Sequence, residues 1–230
     1  MLRQSKGNMY EFVTHTFNPI KGKCFHNCPY CYMKRWGEQK PLRLDRKELK
    51  TDLGKGNFIF VGSSTDMFAA DVPEEWIFDV IYLLKKFDNK YLLQTKNPER
   101  LFNLLVSMSA VRPEQFVFAT TIETNRGEIR FGDAPDVRRR SNAMARIAMH
   151  GFKTMVTCEP IIDFDVPDLT SLILLCDPEQ INIGADSGGN GLPEPSPEKI
   201  QQLIESLERC DIKKVVKKKN LARIYMEAQP

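Results

Sequence analysis

Short runs rich in β-branched and aromatic residues alternate along the chain with longer stretches whose apolar positions recur every three to four residues. The runs at 12–17, 58–62, 91–95, 116–122, 154–158 and 180–184 predict strands, and 213–217 predicts a seventh. The stretches at 29–36, 74–87, 98–108, 136–150, 167–175 and 197–210 predict helices. The last of these opens with Ser196 as N-cap, Pro197 in the first turn and Glu198 after it. FIFVG, FVFATTI and INIG are nearly unbroken apolar runs, as expected of parallel strands buried on both faces. Strand–helix alternation of this kind predicts an α/β fold with a parallel sheet and right-handed crossovers. The units take up the whole chain, so residues 1–230 are expected to form one domain, with a basic C-terminal segment at 211–230. An open doubly wound sheet and a partial barrel both fit, and both place ligands at the carboxyl ends of the strands.

Those ends are polar. The second strand runs into Ser63-Ser64-Thr65-Asp66, the third into Gln94-Thr95-Lys96-Asn97, and the fourth into Thr121, Glu123, Thr124 and Asn125. The fifth ends in Cys158-Glu159-Pro160 and the sixth in Asp186-Ser187. Polar residues in such places are also ordinary helix N-caps. The whole set on one rim points to a ligand site more firmly than any member does.

Composition narrows the class. Hydrophobic residues at 42% and charged residues at 27% fit a globular protein and exclude disorder and a coiled coil. A net charge of +3 does not by itself imply a polyanionic partner. The N-terminus has no apolar signal-like core, and the longest apolar stretch, near 172–176, is far too short to span a bilayer. No membrane partner and a cytoplasmic location are therefore expected.

The six cysteines are unevenly placed: Cys24, Cys28 and Cys31 are clustered, whereas Cys158, Cys176 and Cys210 stand singly. In a reducing compartment the clustered thiols stay unpaired, and metal binding is the simplest reading. Three thiolates are one short of a closed tetrahedral zinc site, and His26 or His15 would have to complete it. The rival is a [4Fe–4S] cluster with three irons held by cysteine and the fourth open.

Cys24-x3-Cys28-x2-Cys31, with Tyr30 just before the last cysteine and the loop following the first strand, resembles the radical S-adenosylmethionine (SAM) superfamily. The resemblance implies a partial (β/α)6 TIM-type barrel with a parallel sheet. It also implies a [4Fe–4S] cluster and SAM as cofactors, reductive cleavage to a 5′-deoxyadenosyl radical, hydrogen abstraction from a substrate, and flavodoxin or ferredoxin as electron donor. Phe17-Asn18-Pro19, Ser64-Thr65-Asp66-Met67-Phe68, Gln94-Thr95-Lys96-Asn97-Pro98-Glu99-Arg100 and Cys158-Glu159-Pro160 are similar to a phage-associated group of short radical-SAM proteins. More distantly, the chain is similar to DNA repair proteins of the spore-photoproduct-lyase type.

Under that resemblance Cys24, Cys28 and Cys31 hold the cluster. The usual GGE-like motif after the second strand is replaced by Gly62-Ser63-Ser64-Thr65-Asp66. That leaves Ser63, Ser64, backbone carbonyls or Asp66 to accept from the SAM amino group. Lys96 is expected on the carboxylate, Glu123 and Asn125 on the ribose, and Tyr30 and Tyr32 beside the adenine. Cys158, at the predicted mouth, is either a hydrogen donor to a product radical or a small buried apolar residue. Plainer alternatives stand beside these: Lys96 solvated or ion-paired, Glu123 and Glu159 in internal salt bridges with Arg126 or lysines, Tyr30 and Tyr32 in the core, and His26 facing solvent.

Two basic stretches, Arg138-Arg139-Arg140 and the 213–219 segment with Arg223, suit a phosphate backbone or simply solvated charge. A strand at 213–217 puts Lys213, Val215 and Lys217 on one face and Lys214, Val216 and Lys218 on the other. The 187–197 loop is either a lid or a plain connection. The expected substrate is nucleic acid or a nucleotide, with a peptide or protein as alternative; a non-enzymatic zinc-loop nucleic-acid-binding module is the competing class.

Overall fold

A computed structural model of the chain describes residues 1–5, 10–107, 111–129 and 132–226. Met108, at the end of the predicted 98–108 helix, and positions 227–230 of the basic segment lie outside the described residues. In chain order the elements are β1 (Arg3–Gln4), β2 (His15–Phe17), β3 (Ile20–Lys21), β4 (Arg43–Leu44), β5 (Phe58–Val61) and α1 (Glu74–Leu84). They continue with β6 (Lys90–Gln94), α2 (Pro98–Ser107), β7 (Phe116–Thr121), α3 (Val137–Met149) and β8 (Lys153–Cys158). The last are α4 (Val166–Leu175), β9 (Pro178–Ile183), α5 (Pro197–Glu208) and β10 (Lys214–Lys217).

The described residues form a mostly parallel eight-stranded sheet in the order β1-β2-β5-β6-β7-β8-β9-β10, with β1 as an antiparallel edge. The expected α/β architecture, a partial TIM-type barrel with a parallel sheet, is therefore present. The seventh strand is present as β10, paired in parallel with β9. Two features lie outside the sequence expectation: β1, and a small antiparallel ladder of β3 and β4.

The strands' two faces are packed differently. Ile59, Val61, Tyr91, Leu93, Phe116, Phe118, Val156, Ile181 and Ile183 join the helices in the main core. Full burial of each such side chain contributes roughly 1.5–3 kcal/mol. Phe60, Leu92, Ala119 and Met155 point to the other face and form a smaller cluster with Tyr10 and Val13. Period-two alternation carries this inner face onward to Gln94, Thr121, Thr157 and Asn182 at the carboxyl ends. The barrel interior thus changes from apolar to polar along the strands, which places the chemistry at the C-terminal rim.

Local rules set the helix starts. Asp136 caps α3 by accepting from the Arg139 N–H, and Ser196 caps α5 by accepting from that of Lys199, with Pro197 in the first turn. The predicted helix at 29–36 is a correction. The N–H groups of Cys31 and Lys34 reach the carbonyls three residues back, Cys28 and Cys31, so the chain curls more tightly than an α-helix and settles into a 3-10 helix over Tyr32–Trp36.

Candidate active site

The cysteine loop follows β3 and is held from several sides. Gly22 has φ +116°, and a Cβ there would lie 2.4 Å from the Pro41 carbonyl oxygen, so only glycine lets the loop pass that segment. The Gly22 carbonyl accepts from Thr65 Oγ1 at 2.9 Å. Within the loop, Asn27 adopts the left-handed conformation, and its N–H donates to the Cys24 carbonyl. The Cys31 N–H then donates to the Cys28 carbonyl, so successive tight turns curl the backbone through the three cysteines.

His26 lies at the centre of this arrangement and is buried, contrary to the solvent-facing alternative. Its Nε2 lies 2.9 Å from Asp66 Oδ2. Asp66 also accepts from Thr95 Oγ1 at 3.0 Å, from the Lys96 N–H at 2.8 Å and, through Oδ1, from the Phe68 N–H at 2.9 Å. Burial opposes its ionisation, but His26 and these N–H donors outweigh burial and hold the carboxyl below its ordinary value. Asp66 is thereby a strut between the loop and the ends of β5 and β6, with Oδ2 shared among three donors and Oδ1 bonded to the Phe68 N–H. From the other side, the Asp133 N–H donates to the His26 carbonyl, and a Cβ on Gly132 would stand 2.0 Å from that oxygen.

The three thiols are unpaired; Cys28 is buried, while Cys24 and Cys31 are partly exposed. Burial, reinforced by Asp66, pushes the Cys24 thiol up to about 12. Burial also raises Cys28, against a lowering influence from Lys96. Cys31 bears on Cys28, and Cys28 on Cys24, so charging one thiolate hinders the next. Among the described residues no three His, Cys, Asp or Glu side chains converge closely enough for a single ion. A mononuclear zinc site, with Zn–S bonds of about 2.3 Å, requires that convergence. His26 has Nε2 committed to Asp66 and Nδ1 enclosed without a partner, and His15 contacts Thr14.

Around the loop, Asn18 organises the segment after β5: its side chain bonds Ser63 Oγ at 3.1 Å and accepts from the Ser64 N–H at 3.1 Å. The Tyr32 hydroxyl donates to the Ser63 carbonyl at 2.7 Å. Lys96 Nζ donates to Thr121 Oγ1 at 3.0 Å, stands 3.5 Å from Glu123 and lies 5.3 Å from the Tyr30 ring centroid. Glu123 is fully buried; it accepts from Arg140 Nη1 at 2.7 Å and from the Tyr30 hydroxyl. Burial raises its carboxyl, but Arg140, Lys96 and Tyr30 more than reverse that. Its expected ribose contact gives way to an internal salt bridge, with Arg140 rather than Arg126 as partner. Arg126 pairs instead with Asp163 at 2.7 Å. Asn125 is engaged reciprocally with Asp165: its amide donates to the carboxylate at 3.2 Å and its carbonyl accepts from the Asp165 N–H at 2.8 Å.

Cys158 requires a correction. It follows Thr157 on β8, so alternation turns it away from the inner face, and it packs without exposed surface in the main core. Burial raises its thiol, as Glu123 and Cys176 also do. It is a packing residue of the helix-facing side, not a group at the mouth.

The basic stretches also differ from expectation, because their cations turn inward or find carboxylates. Arg140 is buried against Glu123, and Arg139 pairs with Glu99 at 2.7 Å. Lys213 pairs with Glu179 at 2.6 Å, and Lys218 is buried 3.6 Å from Glu159, on the face that alternation assigned it. Arg223 pairs with Glu194. Lys214, Lys219 and Arg138 stay exposed. The 187–197 loop begins in a tight turn, in which the Asp186 carboxylate accepts from the Gly188 N–H at 3.0 Å and the Asn190 N–H at 2.5 Å.

Tyr10, Asn182 and Asn220, which sequence reasoning did not single out, join Gln94 and Glu159 in completing the interior. The Tyr10 hydroxyl donates to Gln94 Oε1 at 2.8 Å, and Gln94 Nε2 lies 3.4 Å from Thr121 Oγ1. Asn182 stands opposite Thr157, and Asn220 donates to Glu159 at 3.3 Å and to the Ala185 carbonyl at 2.7 Å. The available signal was the change from apolar to polar at every second position along the strands.

A mostly parallel sheet of partial-barrel type, with a three-cysteine loop at the carboxyl ends of its strands, defines the fold class of the chain. A family model described as "Protein of unknown function (DUF5131)" matches residues 8–188, and the chain belongs to that family. No curated protein matches it. Among solved structures, the chain is similar to spore photoproduct lyase complexed with dinucleoside spore photoproduct, at 11% identity, covering 91% of this chain and 78% of that one, with a TM-score of 0.63. A cysteine-to-alanine variant of that lyase with the same ligand aligns at 12% identity over 91% and 78%, with a TM-score of 0.65. A doubly substituted variant with bound AdoMet and the dinucleoside aligns at 12% identity over 90% and 64%, with a TM-score of 0.55. At these identities the likeness speaks to the fold. No helix among the described residues is long and apolar enough to cross a membrane.

Proposed function

We propose that the chain is a radical-SAM enzyme acting on nucleic acid or a nucleotide, with Cys24, Cys28 and Cys31 holding a [4Fe–4S] cluster. The observation that carries the reading is the three-thiol loop pinned to the C-terminal rim of the barrel by the His26–Asp66 contact. When bound, the cluster and SAM supply reductive cleavage of a sulfonium C–S bond and hydrogen abstraction by the resulting 5′-deoxyadenosyl radical, with flavodoxin or ferredoxin as reductant. The protein's part is to bind, orient and exclude water. The three thiols give up their protons as they take the metal. Ser63, Ser64, the adjoining carbonyls or Asp66 accept from the SAM amino group. Lys96 meets the carboxylate, Asn125 reaches the ribose, and Tyr30 and Tyr32 flank the adenine. Glu123 acts through others: it fixes Tyr30 and Lys96 from behind. The substrate class is supported by the partial barrel shared with lyase structures whose ligand is a dinucleoside.

Anaerobic reconstitution tests this. A brown protein holding iron and sulfide in equal amounts, releasing 5′-deoxyadenosine from SAM under reduction, is expected. Replacing all three cysteines (Cys24→Ala, Cys28→Ala, Cys31→Ala) is expected to remove both properties. A colourless chain with stoichiometric zinc and no SAM binding overturns the reading in favour of a zinc-loop module. Deuterium carried into 5′-deoxyadenosine from labelled DNA, RNA or nucleotide pools is expected; transfer from labelled peptides alone overturns the substrate class.

A further inference from the structure

Across the barrel interior from the cysteine loop lies a second polar group that no step above uses. Asn182 is 1% exposed on the inner face of β9. Its Oδ1 accepts from Gln180 Nε2 at 2.8 Å, while its Nδ2 is enclosed and has no partner. Asn220 is the reverse case. Its Nδ2 donates to the Ala185 carbonyl, Ser187 Oγ and Glu159, while its Oδ1 is enclosed and has no partner. Buried polar atoms are nearly always paired, so an orphaned donor and an orphaned acceptor in one corner mark a place prepared for something else.

Both lie near Gly184, just past the end of β9. A Cβ built on Gly184 would lie 2.9 Å from Asn220 Oδ1, and Gly184 follows Asn182 by one inner-face step of β9, about 6.6 Å along a strand. The missing side chain at Gly184 is what lets Asn220 and Glu159 approach the strand this closely. Glu159 borders the same space, with its carbons 3.0–3.1 Å from that Cβ position. Lys218 stands 3.6 Å from the Glu159 carboxylate and 4.9 Å from the Tyr10 ring centroid. Thr157 faces Asn182 across the ladder, beside the Tyr10 phenol. The corner joins the cluster side through Tyr10, Gln94, Thr121 and Lys96, which are bonded in series.

A free donor beside a free acceptor complements a ligand that presents an acceptor beside a donor. The carboxylate of Glu159 and its single nearby ammonium leave the corner close to neutral, which disfavours a phosphate. We propose that Asn182 and Asn220, bordered by Glu159, Thr157 and Lys218, form a recognition subsite for the lactam edge of a nucleobase, a ring C=O adjacent to a ring N–H. Donor and acceptor pairing of this kind is how single-stranded bases are read on their Watson–Crick edges. The inference rests on the reading above for where substrate meets the cofactor, but its test does not.

Direct binding to the full chain, without cluster or SAM, separates the two. Isothermal titration is made with uridine, 3-methyluridine and a short single-stranded oligouridylate. Uridine is expected to bind at least about ten-fold more tightly than 3-methyluridine, whose methyl group blocks the N–H, because the site's acceptor is then left unpaired. Asn182→Leu is expected to weaken uridine by about ten-fold while circular dichroism shows the fold retained. A further gain with the oligouridylate identifies a strand as the source of the base; equal affinity for the two identifies a free nucleoside. Equal binding of uridine and 3-methyluridine by the unaltered chain, or binding of neither, overturns the subsite and leaves the corner to ordered water. The ligand series on the unaltered chain decides the matter even where Asn182→Leu does not fold. Release of 5′-deoxyadenosine reports on the cofactor reading alone.

Discussion

Glu123 and Glu159 occupy equivalent places in the barrel, each two residues beyond an inward-facing threonine on neighbouring strands, β7 and β8. Each receives a cation from one of the two basic stretches, and each lies near a tyrosine, Tyr30 or Tyr10. Burial opposes ionisation at both. Glu123 overcomes it, because Arg140 at 2.7 Å, Lys96 at 3.5 Å and the Tyr30 hydroxyl all engage it, and its carboxyl is held below the ordinary value. Glu159 does not: Lys218 at 3.6 Å and Asn220 at 3.3 Å leave its carboxyl raised. The number and closeness of partners, not depth alone, separate the two. A carboxylate with close cationic partners braces Tyr30 of the cysteine loop, and a less well-served one borders the proposed subsite.

The sharpest way to break this comparison is to remove the two cations separately. Arg140→Met leaves Glu123 buried with weaker company and removes bonds to the Thr121 and Pro135 carbonyls at 2.7 and 2.6 Å. Loss of one partner from such a buried pair costs about 3–5 kcal/mol. Lys218→Met removes the 3.6 Å contact with Glu159 and the cation's contact with the Tyr10 ring, and lets Glu159 take up a proton, so a smaller loss of about 1–2 kcal/mol is expected. Urea denaturation of both variants measures the gap; equal losses remove the distinction.

Much of this was open to a reader of the sequence, and the misses have physical causes. The apolar runs at β5 through β9 marked their strands, because burial on both faces leaves little room for polar residues. Arg140 was grouped with its neighbours as surface charge, yet Val137, Arg140, Ser141 and Met144 are spaced as one buried helical face. Helical period, not charge density, carried the information. Lys218 was assigned by alternation to the same face as Val216, but its partner Glu159 comes from a distant strand that only the fold brings near. The cysteine loop was recognisable, but its supports were not: Asp66 meets His26 and Thr95 through tertiary contacts that no local pattern encodes.

Asp66 sharpens the comparison from a third direction, since backbone N–H and hydroxyl donors share it with His26. Asp66→Asn keeps the shape but turns an NH2 group toward donors that need an acceptor. A loss of about 2–3 kcal/mol is expected, smaller than for Arg140→Met, because one or two buried donors go unsatisfied. The loop should loosen with it, so iron retained after anaerobic reconstitution should also fall. Full stability with full iron content would show that the strut carries no load.

The smallest effect has the more telling sign. Glu159 carries a carboxyl raised by burial above the ordinary 4.5, with Lys218 only partly offsetting that. A group whose acid form is favoured by folding binds its proton more readily in the native state than in the unfolded one. Native stability therefore rises as pH falls through the raised value, and the penalty is gone below the ordinary one. Glu159→Gln removes the penalty while keeping the side chain's shape. It should stabilise the protein near neutral pH by no more than about 1 kcal/mol, since Lys218 loses its counter-charge at the same time. That advantage should vanish as the solution is acidified toward pH 4.5. Glu123→Gln has the opposite profile: a loss at neutral pH that shrinks only below the ordinary 4.5, as the unaltered carboxyl itself begins to protonate. Urea midpoints of both variants against the unaltered chain, measured across the acid range, give the two slopes. If they share a sign, the equivalent positions carry equivalent charges, and the division into scaffold and ligand corner fails.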